Sequence, residues 1–266
     1  MADILETIVA HKRVELAQAK ERLPLSALER KMEQQPLPRP TRSMSQALAE
    51  SATGIIAEMK RKSPSKGWIK EDADTAHIPA DYAQAGASAL SILTDEQFFG
   101  GKLEFLANAR KQVSATPLLR KDFIIDPYQL FEASLAGADA VLLIAACLKP
   151  QECKDLASLA HDLNLQVLLE VHQEQELDYV GENVDMVGVN NRNLGTFHTD
   201  VQNSFRLASK LPKEFVLVSE SGISAPETII QLRQAGFRGF LIGETFMRQP
   251  NPAAALAQFI QQINAH

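Results

Sequence analysis

From residue 53 onward the chain repeats one pattern. A run of five to eight mostly apolar residues is followed by a longer stretch rich in Ala, Leu, Gln and Glu. The runs lie at 54–60, 88–94, 116–123, 139–146, 166–171, 186–191, 215–220 and 239–243. Runs of that length read as buried strands, and the stretches between them as helices. Strand and helix in alternation imply right-handed crossover units and a parallel sheet. In AQAGASAL, SLAGADAV and RQAGFRGF a glycine stands between a helical stretch and the next strand, where the left-handed residue after a helix belongs. Eight such units predict an α/β fold of the closed (β/α)8 TIM-barrel type. An open doubly wound sheet is the alternative. It calls for a glycine-rich loop after an early strand, and no GxGxxG occurs.

Upstream of residue 53 the pattern changes. Ile4, Leu5, Ile8, Val9, Val14 and Leu16 fall at helical spacing over residues 3–20. Ser26 with Glu29 is a capping-box signature for a second helix. Pro36, Pro38 and Pro40 break the chain, and residues 45–51 suit a short third helix. The reading is one barrel domain over residues 1–266, with residues 1–50 as an N-terminal helical extension that packs on the barrel or acts as a lid.

On one alternation of the strands, ionisable residues gather at the C-terminal end. In GIIAEMKRKSPSKG, residues 54–67, alternation puts Ile56, Glu58 and Lys60 on one face. A solvated edge strand would look the same, but the pattern recurs. Counting by twos along the other runs gives Leu119, Lys121 and Phe123; Leu168 and Glu170; Gly188, Asn190 and Arg192; Val216, Val218 and Glu220. Each residue has a plain reading on its own: a solvated lysine, a helix cap at Glu220, turn asparagines at Asn190 and Asn191. Together they place Glu58, Glu170 and Glu220 with Lys60, Lys121 and Arg192 on the C-terminal rim, where barrel active sites sit. Acids and bases at close range are what proton transfer requires. Ser221-Gly222 and Gly243-Glu244 follow the last two strands. Loops at that position often hold a phosphate through backbone N–H groups, although ordinary turns also favour glycine.

Composition narrows the partners. The chain has 266 residues, 45% apolar, and a formal net charge of −6, so nucleic acid is not the expected partner. An anionic small molecule remains compatible, because local cations override the mean. No apolar run reaches the ~20 residues that span a membrane. The start, MADILETIVAHKR, reads neither as a secretory signal nor as an acid-poor transit peptide. Cys147 and Cys153 have no metal-ligand spacing and form no disulfide framework. These features point to a cytoplasmic protein with reduced cysteines.

The residues resemble the indole-3-glycerol-phosphate synthase family of tryptophan biosynthesis. IIAEMKRKSPSKGWI is the most specific match. The similarity continues through SILTDEQFFGG, LLRKDFIIDPYQ, ADAVLLIAA, LLEVH, VGVNNRNL, VSESGI and FLIGETFMR, essentially from Leu48 onward. The resemblance implies that Lys121 is the general acid of ring closure and Glu170 the base of dehydration. It implies that Lys60 holds the substrate carboxylate and assists proton transfer, while Glu58 and Asn190 orient these groups. Arg192 and Glu220 complete the rim. Ser63, Ser221, Gly222, Gly243 and Glu244 surround the phosphate, and Phe99, Phe123 and Leu194 wall in the aromatic ring. Many members of the family carry a small residue at the position of Glu244, whose carboxylate must turn away from a phosphate. The implied substrate is 1-(2-carboxyphenylamino)-1-deoxyribulose 5-phosphate, with no cofactor, no metal and no fused second barrel, in a monomer or weak homo-oligomer. The alternatives are a Schiff-base aldolase acting on a sugar phosphate and a phosphate-binding barrel without catalysis.

Overall fold

The computed structural model describes residues 4–34, 42–193, 195 and 197–265. Eight parallel strands close into a barrel: β1 (Ile55–Met59), β2 (Ala89–Leu93), β3 (Leu118–Lys121), β4 (Ala140–Ile144), β5 (Gln166–Val171), β6 (Met186–Asn190), β7 (Val216–Glu220) and β8 (Gly239–Ile242). Each pairs with its sequence neighbours, and β8 closes on β1. The predicted runs hold to within a residue or two at their ends. The run at 116–123 is shortened most, because the chain bends away after Lys121. Gly86, Gly137 and Gly236 follow their helices at φ of +100°, +89° and +108°, the left-handed conformation expected there.

The two faces of the strands fall into separate apolar clusters. Ile56, Ala89, Leu119, Ala140, Leu142, Leu168, Met186, Val218 and Leu241 pack inside the barrel. Their sequence neighbours, such as Ile55, Leu90, Leu118, Val141, Val167, Val187 and Leu217, pack outward against the helices. Alternation along each strand therefore fixes which residues can reach the mouth.

The N-terminal segment closes the barrel at both ends. α1 (Ile4–Arg22) lies over the mouth, with Leu5 and Ile8 in the interior cluster. α3 (Met44–Glu50) lies at the opposite end, where the Ser45 N–H donates to Gln166 at the start of β5, and it inserts Met44 and Leu48 beneath the interior layer. Lys12, 5% exposed, ties α1 down through Asp95 at 2.9 Å and Asp122 at 3.0 Å, on the loops after β2 and β3. Asp122 is in turn 3.1 Å from Arg120, which also pairs with Glu132. Burial opposes its charge, but Lys12 and Arg120 hold the Asp122 carboxyl down to about 2.

Three expectations need correction or fall outside view. α2 (Leu25–Glu33) begins one residue before Ser26, with Pro24 at its N-cap and no side-chain cap bond. Ser26 is thus inside the first turn; a proline pre-set at φ −59° starts this helix instead. The segment after β5 is a six-residue 3₁₀ helix, Glu174–Tyr179, rather than an α-helix, because only a short connection separates β5 from β6. Pro36, Pro38 and Pro40 lie outside the described residues. Among the described residues no helix is long and apolar enough to cross a membrane.

Candidate active site

Four inward-facing columns are apolar at the base and polar at the top. Ile56 is followed by Glu58, Leu119 by Lys121, Leu168 by Glu170 and Val218 by Glu220. The three carboxylates are buried, at 3%, 2% and 1% exposure. They surround Lys121, whose Nζ lies 3.2 Å from Glu170 Oε2 and 3.3 Å from Glu220 Oε2. Lys60 pairs with Glu58 at 2.8 Å, and the Ser91 hydroxyl donates to the other Glu58 oxygen at 3.4 Å. Asn190 hydrogen-bonds Glu170, and its Oδ1 accepts from the Arg192 N–H at 3.0 Å.

These groups line one cavity of about 680 Å³. Leu142, Ile144 and Leu241 form its apolar floor, and Ile4, Leu5 and Ile8 of α1 form part of its roof. Phe99 and Phe123 make one wall, with ring centroids 5.9 Å apart. Across from them lie Ser63, Ser221, Gly222, Gly243 and Glu244. Every residue predicted for the site lines this cavity except Leu194, which lies outside the described residues. The α1 side chains, the strand-core leucines and the cations Lys66 and Arg248 were not predicted. The floor residues share the alternation of the predicted polar ones and were available to the same count. Lys66 and Arg248 carried no such signal.

Two glycines leave room for the buried carboxylates. A Cβ at Gly188 would stand 2.3 Å from Glu220 Oε1, and one at Gly243 would stand 2.5 Å from Glu58 Oε1. Both distances are shorter than van der Waals contact allows. Gly243 therefore has a packing reason to be glycine, in addition to the close backbone approach read from the sequence. On the neighbouring loop, Ser221 and Gly222 are both left-handed, at φ of +70° and +79°, a conformation unusual for serine. Asn191 Nδ2 donates to the Ser221 carbonyl at 3.0 Å and helps to hold it. The Ser63 hydroxyl is buried, faces the cavity and has no protein hydrogen-bond partner among the described residues. The Glu244 carboxylate sits among cations: Arg248 at 2.7 Å, Arg192 at 3.8 Å and Lys66 at 4.0 Å. Its charge is matched there rather than left facing the cavity alone.

Electrostatics separate the titratable groups. Burial works against the Lys121 ammonium, but Glu170, Glu220 and Glu58 outweigh it and hold the amine protonated above its usual range. Burial likewise opposes charge on Glu58 and Glu170. Lys60 and Lys121 keep Glu58 below the ordinary carboxylate value, while Lys121, His172 and Asn190 do so for Glu170. Glu220 goes the other way. Burial, with the nearby Glu170 and Glu58 charges, pushes it up to about 8 against the pull of Lys121. Apart from the Lys121 ion pair, its carboxyl oxygens have no partner among the described residues. Two carboxyls sharing one cation in a dry site titrate apart, and the proton stays on Glu220.

This separation has a measurable consequence. Between the ordinary value of 4.5 and about 8, the native state holds a proton on Glu220 that the unfolded chain has lost. Unfolding free energy therefore falls as pH rises through that window. Glu220→Gln mimics the protonated form and removes this loss. The variant should melt above the parent at about pH 8.5 and close to it at about pH 5, with turnover reduced. Differential scanning calorimetry at the two pH values checks this, and an unchanged difference between them would contradict it.

Among the described residues no group of three or more His, Cys, Asp or Glu side chains is arranged to hold a metal ion.

Comparison with known proteins bears on the family and the fold. A family model described as "Indole-3-glycerol phosphate synthase" matches residues 5–259. A Bacteroides thetaiotaomicron protein named "Indole-3-glycerol phosphate synthase" is 57% identical over 263 residues, covering 99% of this chain and 100% of its own. A Polaromonas naphthalenivorans protein of the same name is 45% identical over 260 residues, covering 97% and 98%. Among solved structures, tryptophan synthase subunit alpha from Legionella pneumophila superposes with a TM-score of 0.63 at 15% identity, covering 84% of this chain and 98% of that one. KGPDC from Streptococcus mutans gives 0.60 at 13% identity, covering 79% and 97%. These two structures share the barrel fold.

Proposed function

The chain belongs to the indole-3-glycerol phosphate synthase family, and on that premise we propose how this cavity performs that lyase reaction. The substrate is 1-(2-carboxyphenylamino)-1-deoxyribulose 5-phosphate, and the products are indole-3-glycerol phosphate, carbon dioxide and water. The observation that carries the reading is Lys121, protonated and set between Glu170 and Glu220 beside an apolar wall of Phe99 and Phe123.

The electron-rich ring lies against that wall and attacks the ketone carbon. Lys121 donates its proton to the carbonyl oxygen as the new bond forms. Loss of the ring carboxylate, held by Lys60, removes the charge from the dearomatised ring. The hydroxyl formed in the first step then leaves with acid assistance, and Glu170 takes the proton whose loss completes the indole. Glu58 and Asn190 orient the two lysines and the base. Arg192 and the neutral Glu220 complete the polar rim. Ser63, with the backbone N–H groups near Ser221, Gly222, Gly243 and Glu244, takes the phosphate, and Leu194 adds to the apolar wall.

A Schiff-base aldolase needs an uncharged amine as nucleophile. The ionised Glu170 and Glu58 keep Lys121 charged, which disfavours that route, and a barrel that only binds phosphate would not need the acid–base set. We further propose that the chain acts as one barrel domain with residues 1–50 as its extension. On this reading it works in the cytoplasm as a monomer or weak homo-oligomer. Adding the carboxyphenylamino sugar phosphate should produce indole fluorescence. No signal, combined with borohydride trapping of a ketose phosphate on Lys121 or Lys60, would favour the aldolase.

A further inference from the structure

Behind Glu170, outside the cavity lining, lies His172. It follows Glu170 by two residues, just past the end of β5, and its side chain is 14% exposed. Nε2 lies 3.4 Å from Glu170 Oε1, and Nδ1 lies 3.6 Å from Glu176 Oε2. Glu176 is itself fixed to the same segment: its Oε2 accepts from the His172 N–H at 2.6 Å, and its Oε1 accepts from Gln173 Nε2 at 3.3 Å. The imidazole thus has a carboxylate facing each nitrogen. A neutral ring offers one N–H and one lone pair, so one carboxylate would meet a lone pair. Neither ring nitrogen makes a hydrogen bond among the described residues, so the two contacts are ion pairs, and only the charged imidazolium is attracted to both carboxylates.

The surroundings agree. Burial lowers the ring's basicity, but Glu176, Glu170 and Glu220 together raise it above the usual histidine value. On the far side of Glu170 stand Lys121 from β3, Asn190 from β6 and Glu220 from β7, with Glu58 of β1 and Lys60 just past its end beyond. On the side of the next helix, the amide of Asn203 donates to the His172 carbonyl at 3.1 Å. Glu174 pairs with Lys210. Glu220 shares Lys121 with Glu170, and its carboxyl oxygens lack a hydrogen-bond partner among the described residues. Glu170 thus differs from Glu220 by the Asn190 hydrogen bond and by the adjacent His172, the one of the two that carries charge.

We propose that His172 is a positioning residue for the base: clamped as an imidazolium between Glu176 and Glu170, it fixes the Oε1 side of Glu170 and decides that the shared proton rests on Glu220. Glu170 is left ionised, with Oε2 turned to Lys121 and the cavity. This rests on the reading of Glu170 as the base.

His172→Gln removes the charge and keeps a side-chain amide of similar reach. With an opposite charge lost at this range, the acidic limb of the kcat profile should move up by about one pH unit. Turnover should then fall by up to about tenfold at pH values below the parent's acidic limb and stay close to the parent near neutral and alkaline pH, with KM little changed. Glu176→Gln should shift the limb in the same direction by less, and it serves where His172→Gln folds poorly. Nitrogen-15 NMR of the parent, with the His172 ring assigned by its loss in the variant, should find the ring doubly protonated at about pH 7. A neutral ring there, an acidic limb that stays in place, or one constant loss of rate at every pH would each overturn the proposal. If Glu170→Gln itself retains full turnover, the base assignment fails instead.

Discussion

Lys121→Ala should lower kcat by at least the ~100-fold associated with a positioned general acid. Lys121 is the one ammonium within 3.3 Å of both Glu170 and Glu220 among the described residues. Removing it deletes the proton donor for ring closure. It also leaves two buried carboxyls without their cation, a change that costs on the order of 3–5 kcal/mol when the remaining charge stays buried. Part of that cost is avoided if Glu170 takes up a proton, which disables the base as well. Lys121→Arg separates the two effects. It keeps a charge between the carboxyls, so stability should largely return. The planar guanidinium is a far weaker acid and reaches further, so turnover should remain low. Steady-state kinetics with thermal melts on both variants check this. Near-parent turnover in Lys121→Ala would remove the residue from the acid role.

The second large effect belongs to Glu170. Glu170→Gln keeps the shape of the side chain and the hydrogen bond from Asn190, but it cannot accept a proton. Substrate binding should change little, while product formation collapses by ~100-fold or more. With Glu170 uncharged, Glu220 can ionise and pair with Lys121 in its place, so the variant should stay folded with stability close to the parent's. A fall in rate without a fall in stability would distinguish a lost base from a damaged fold. Product at the parent rate would move the base to Glu58 or to Glu220, and Glu220 is disfavoured because its raised proton affinity keeps it neutral below about pH 8.

The residues that reach the cavity were legible for a geometric reason. In a parallel barrel only the inward alternation at the C-terminal end can meet a ligand, so counting by twos from Ile56, Leu119, Leu168 and Val218 arrives at Glu58, Lys121, Glu170 and Glu220. The same count lands on Gly188, but its purpose appears only in three dimensions, as the hollow that accepts the Glu220 carboxyl. Arg120 was passed over because it lies on the outward alternation. It is nonetheless buried, in an ion network that runs from Lys12 of α1 to Glu132. Such long-range pairs leave no local spacing to read. The roof contributed by Leu5 and Ile8 was hidden for the same reason: the periodicity of α1 gives a helix with an apolar face but not the surface that face covers. His172 falls one residue past the predicted run 166–171 and is assigned no role there. Its place between two carboxylates depends on the tight 3₁₀ turn at Glu174–Tyr179, where a longer α-helix was expected.

The division of labour between Lys121 and Glu170 is tested most directly by rapid-quench mass spectrometry of a single turnover in both variants. The account predicts that Lys121→Ala leaves the carboxyphenylamino sugar phosphate intact. Glu170→Gln should instead accumulate a species that has lost carbon dioxide but not water. Intact substrate in both variants, or a decarboxylated intermediate in Lys121→Ala, would contradict it.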